Sequence, residues 1–140
     1  MGCGGKSASF AQAFGKFGLI PDTGGTWFLP QRGGMARAMG LAMLADKLPG
    51  EKAAEWGLIW QVVDDAELAA SVDKLAAQLA VMPTKALVRT RQAMNAAPMH
   101  TLEQQLSIEG GFMGELVWSP DYAEGVAAFM EKRAPKFTGD

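Results

Sequence analysis

The chain has 140 residues, 49% apolar and 20% charged, which is material for one domain with a core and not for two. Its net charge of −2, with basic residues scattered along the chain, gives no electrostatic basis for binding nucleic acid or an anionic membrane. The single cysteine, Cys3, excludes an internal disulfide, and no apolar run reaches the roughly 20 residues of a membrane span.

The opening "MGCGGK" reads as a flexible or non-native start; it has no apolar core of a secretory signal, so a cytoplasmic, reducing setting is expected. "SASFAQAF" (7–14) fits a short strand running into a turn. "GKFGLIPDTGG" (15–25) packs four glycines and a proline into eleven residues, which forbids a continuous helix. From Thr26 the pattern turns helical. "MARAMGLAML" (35–44) is apolar almost all round and is expected to be buried on most sides. Pro49 can open a short helix, "GEKAAEW", with Gly57 just past its end. Leu58–Val63 reads as a strand, with no evident parallel partner elsewhere in the chain.

Beyond that strand the chain reads as helices. Asp64 or Asp65 can cap a helix carrying Leu68, Val72, Leu75 and Leu79, ended by Pro83. The acids at 64, 65 and 67 suit its N-terminal dipole without any further role. "TKALVRTRQAMNAA" is a second amphipathic helix, stopped by Pro98, with Arg89 and Arg91 on a solvated face. "TLEQQLSIEGGFMGELV" places Leu102, Leu106, Ile108, Met113 and Leu116 on one stripe. Ser119 and Pro120 are an N-cap followed by an N1 proline, so the last helix runs from about Pro120 to about Lys132 with Val126, Phe129 and Met130 facing inward. The four tryptophans read as core or interface and the nine methionines as filler.

Few constellations can carry chemistry. The lone His100, in a loop with no second His or Cys at ligand spacing, gives no zinc site. Neither GxGxxG, GxxxxGK[ST] nor GxSxG is present, so dinucleotide, P-loop and triad-hydrolase readings fall away. What remains is the corner "GLIPDTGGTW". Asp22, behind Leu19, Ile20 and Pro21, can sit in an apolar pocket where burial fits it to shuttle a proton. It can equally be a plain N-cap for the following helix. Gly24 and Gly25 leave the backbone open to a ligand, with N–H groups at a helix start that would favour an oxyanion.

The stretch F-x-Q-x-F-x-x-x-G-L-I-P-D-x-G-G-T (10–26), the segment "LPGEKAAEWGL" (48–58) and the ending "EGVAAFMEKRAPKF" (124–137) resemble the crotonase (enoyl-CoA hydratase/isomerase) superfamily. The resemblance runs from Ser7 to Phe137. It implies the C-terminal portion of an α/β ClpP/crotonase fold, mostly helical here with two or three short strands. Residues 7–63 would end the β-spiral core and carry the active-site loop, and 64–140 would form a helical region for oligomerisation and for covering coenzyme A. Residues 1–6 would stand outside this plan.

For activity, the resemblance implies an isomerase of CoA thioesters, moving a double bond or opening a ring epoxide by proton transfer, with Asp22 as acid/base. Hydratases of the family carry a catalytic glutamate where this chain has Phe14, which argues against hydration; Glu51 or Glu55 facing Asp22 would reopen it. Gly24 and Gly25 would leave room for substrate, Lys132 would meet the CoA phosphates and Phe112 the adenine. No metal or separate cofactor is implied, since CoA arrives with the substrate. Homotrimers or hexamers are the expected assembly. The oxyanion-hole N–H groups would come from an N-terminal half preceding Ser7, so this chain alone is expected to be weak or inactive. The competing reading is a non-catalytic fragment that only packs into an oligomer.

Overall fold

In the computed structural model, which describes residues 2–140, strand β1 (Cys3–Gly5) pairs in parallel with β4 (Gln61–Val63), in register Cys3–Gln61, Gly4–Val62 and Gly5–Val63. One sequence-based expectation is thereby corrected: the strand near Leu58–Val63 has a parallel partner, and it is the Gly-rich stretch Cys3–Gly5. Glycine suits β1 because neighbours crowd it: a Cβ on Gly4 would lie 3.2 Å from Ile59 Cδ1, and one on Gly5 would collide with the Asp65 carboxylate. The strand is also shorter than expected, because Leu58 and Ile59 donate their N–H groups to Ala53 O and so close the preceding helix.

Strand β2 (Ser9–Phe10) pairs antiparallel with β3 (Leu48–Pro49). A 3₁₀ turn over Ala13–Phe17 ends at Gly18, whose φ of 70° is left-handed. Helices α1 (Gly25–Gly33), α2 (Met35–Leu44) and α3 (Gly50–Glu55) follow, and Gly57, at φ 77°, stands just past α3 as read from the sequence. A small core of Leu41, Leu48 and Ala53 is flanked by Leu29, Trp56, Leu58 and Ile59.

Helix α2 is not buried on most sides. Only Ala38 and Leu41 face the core, while Met35, Met39, Met43 and Leu44 are exposed. Trp27, Trp60 and Trp118 are likewise at least half exposed, so they are not core residues. Apolar composition marks a face that favours cover; it does not supply the cover.

The chain divides into two compact units, Met1–Lys74 and Leu75–Asp140, the division falling within α4 (Leu68–Ala80). In the second unit α5 (Thr84–Ala96) packs on α6 (Leu102–Leu116). A capping box opens α6: Thr101 Oγ1 accepts from Gln104 N–H and the Gln104 side chain accepts from Thr101 N–H. Helix α7 (Pro120–Glu131) starts at the Ser119 cap, as read from the sequence. Its inward face is not the expected one: Val126, Phe129 and Met130 are exposed, and Asp121 and Ala128 are buried. Asp121 faces inward because it holds the C-terminal tail, accepting from Thr138 N–H at 2.7 Å and Gly139 N–H at 2.9 Å. Glu124 adds Lys136 N–H at 2.7 Å and the Arg133 guanidinium at 2.6 Å.

Candidate active site

The corner at Pro21–Gly25 is a tight turn. Asp22 C=O accepts the Gly25 N–H at 2.8 Å, and the two residues between them, Thr23 at φ 48° and Gly24 at φ 86°, are both left-handed. This is the pattern of a mirror-image β-turn. Gly24 suits it, since a Cβ there would lie 2.9 Å from the Phe28 ring. Thr23 does not: a β-branched residue at positive φ is strained, by on the order of 1–3 kcal/mol. The strain is held in place by the hydrogen-bonded turn behind it and helix α1 in front. Strain of this kind concentrates where a side chain must be held in one place.

The first residue of this turn is Asp22. It is exposed, and its one side-chain partner is the Thr23 hydroxyl, which donates to Oδ1 at 3.3 Å. The expected apolar shield is absent because Leu19 and Ile20 are themselves 62% and 78% exposed. The alternative, an Asp22 side-chain cap, is not realised either: Gly24 is the N-cap of α1 and no side chain bonds there. The Gly25 N–H is not free for an oxyanion, since the Asp22 carbonyl already takes it.

Gly25 does open onto space. A cavity of ≈ 280 Å³ lies beside the turn, walled by Phe10, Phe28, Leu29, Leu41, Leu58 and Ile59, with Ala11, Gln12, Gly25 and Arg32 completing its lining. Gln12 Oε1 is buried with no hydrogen-bond partner, 3.8 Å from where a Gly25 Cβ would stand. Phe14 lies half-buried in the 3₁₀ turn. Glu55 is paired with Lys52 at 2.8 Å.

Asp22, Gly24 and Gly25 thus share one turn. Phe112 and Lys132 lie in the second unit, on α6 and just past α7. Lys132 is exposed, with a left-handed φ of 54°. Phe112 is half-buried, and the Arg89 guanidinium sits over its ring at 4.9 Å from the centroid. Arg89 also pairs with Glu115 at 2.7 Å, holding that carboxyl below its ordinary range, so Arg89 is a tether between α5 and α6, not part of a solvated face. Residue reading missed Gln12, although the F-x-Q element contains it, and missed Thr23, because nothing in the sequence marks a threonine as left-handed.

A short parallel sheet, a strained Asp-bearing turn at the head of a helix and a run of C-terminal helices define the class. The chain belongs to the enoyl-CoA hydratase/isomerase family, whose pattern matches residues 3–140, and it has the crotonase-type α/β fold. It is 53% identical over 134 residues to the 1,2-epoxyphenylacetyl-CoA isomerase of Escherichia coli K12, which covers 96% of this chain and 51% of that protein. It is 48% identical to a Rhodobacter capsulatus protein described as "Probable enoyl-CoA hydratase", over 96% of this chain and 52% of the other. Among solved structures, enoyl-CoA hydratase from Bacillus anthracis superposes with a TM-score of 0.94 at 28% identity, covering 99% of this chain and 54% of that one. The Mycobacterium tuberculosis H37Rv enoyl-CoA hydratase gives 0.92 at 28% identity, covering 99% and 55%. The chain therefore spans about half the length of the relatives it matches.

Proposed function

We propose that this chain carries the proton-transfer residue of an acyl-CoA isomerase, with Asp22 moving a proton along the acyl chain of a CoA thioester. The observation that carries the reading is the strained turn, which fixes Asp22 at the head of α1 through two successive left-handed residues. Phe14 supports isomerisation over hydration, since the resemblance assigns a glutamate to that position in hydratases. The 53% identity to an epoxyphenylacetyl-CoA isomerase supports a ring-bearing acyl group. The exposure of Asp22 removes burial within this chain as the source of its basicity. Shielding would come from the bound acyl chain and from the N-terminal half that the resemblance implies.

Taking a proton α to a thioester makes an enolate, and losing a single oxyanion donor costs about 10²–10³ in rate. The donors that the resemblance implies lie outside this chain, so it is slow alone. Lys132 on the CoA phosphates, Phe112 near the adenine, and a homotrimer or hexamer as the working assembly belong to the same proposal.

Mixing the chain with the separately produced N-terminal half of the Escherichia coli isomerase and following an unsaturated acyl-CoA tests it. Turnover should appear on mixing and fall at least about 10²-fold with Asp22→Asn, the range for a general acid/base. Turnover indifferent to Asp22→Asn overturns the assignment.

The exposed Trp118, Val126, Phe129 and Met130 favour a second reading, a piece whose role is packing alone. Sedimentation and calorimetry with CoA separate the two: a monomer that binds no CoA supports the packing role.

A further inference from the structure

The ≈ 280 Å³ cavity beside Gly25 has walls of three kinds: six large apolar side chains, one rim guanidinium from the exposed Arg32, and the carboxamide of Gln12. A cavity of about 150 Å³ with such walls holds a benzene ring, so this one has room for a substituted ring. Its polar wall is out of balance. Gln12 Oε1 is buried and accepts nothing, a state that carries a desolvation penalty with no bond to offset it. No hydrogen bond holds the acceptor where it is, so turning it towards a donor breaks none.

We propose that Gln12 is a specificity-determining residue, whose Oε1 accepts a hydrogen bond from a hydroxyl on a ring-bearing ligand seated in this cavity. A hydroxyl relieves the orphaned acceptor, whereas a bare hydrocarbon would leave it unpaired. Gly25 belongs to the same device, because it keeps the space between Pro21 and Gln12 open: a Cβ there would stand 3.0 Å from Pro21 Cβ. The inference rests on the acyl-thioester reading and names the acyl group it would take, a hydroxylated ring.

The test uses the full chain with phenol and toluene as probes, read as amide chemical-shift changes at Gly25, Leu29 and Ile59. Both compounds should bind. Gln12→Leu should weaken phenol about three- to tenfold relative to toluene, the value of one hydrogen bond. Gln12→Met, of closer shape, repeats the measurement should the leucine variant not fold. Failure of either compound to bind, or a phenol-to-toluene ratio unmoved by removing the carboxamide, overturns the inference. Neither probe contains CoA, so these outcomes stand apart from loss of Asp22-dependent turnover, which would overturn the isomerase reading and leave the cavity's preference as measured.

Discussion

Asp65 Oδ1 accepts the backbone N–H of Ser7 at 3.1 Å across 58 residues of sequence, and it occupies the space that any side chain at Gly5 would need. The neighbouring Asp64 pairs with Lys6 at 2.6 Å, both side chains more than half exposed. The acids that suit a helix dipole therefore also hold the first strand against the last.

Gly5→Ala should destabilise the first unit. Its methyl group would overlap the Asp65 carboxylate, and overpacking of this kind costs about 1–3 kcal/mol. The urea midpoint should drop for Gly5→Ala, and Gly5→Ala with Asp65→Ala should lose less than the two single changes added together.

Thr23→Gly should stabilise the chain by about 1 kcal/mol, because glycine accepts the 48° φ that threonine resists. Thr23→Val keeps the strain and loses the hydroxyl. A urea midpoint that rises for glycine and does not for valine checks the assignment of strain to this residue.

Asp121→Ala should release the C-terminal tail. The carboxylate is buried and accepts from Thr138 and Gly139, and hydrogen bonds to a charged group are worth about 1.5–3 kcal/mol. Amide hydrogen exchange at Thr138 and Gly139 should lose its protection while exchange in α5 is little changed.

The Arg133 guanidinium, with the Lys136 N–H, holds the Glu124 carboxyl at about 2, down from its ordinary 4.5. Above about pH 4.5 both folded and unfolded chains carry this charge, and its contribution is complete. Below that the unfolded chain takes up a proton and the folded one does not, so the contribution shrinks and is gone once the pH falls through about 2. The difference in urea midpoint between the parent chain and Glu124→Gln should be flat above about pH 5 and should narrow towards zero near pH 2.

Much of the second unit was legible because its stops are chemical: Pro83 stands between α4 and α5, Pro98 follows α5, and Ser119–Pro120 opens α7. The Asp22 corner was legible as a break for the same reason, since proline and glycine restrict or free φ wherever they stand. What the sequence hid was tertiary. Strand β1 is Cys-Gly-Gly, with little β propensity of its own, and its partner lies far along the chain. Periodicity showed that α2 and α7 have apolar faces, but Met39 and Phe129 are exposed because periodicity does not say what comes to cover a face. Leu19 and Ile20 predict an apolar pocket around Asp22, but both are exposed.

The parallel pairing of β1 with β4 has a kinetic consequence. Its ends meet only after α1, α2 and α3 have been laid down between them, so closing the sheet carries the entropy of a long loop, whereas α5 and α6 are joined by a short connection. During refolding the helical hairpin should gain its shape early and the sheet should close late. Until it does, Gly4 and Gly5 lie open.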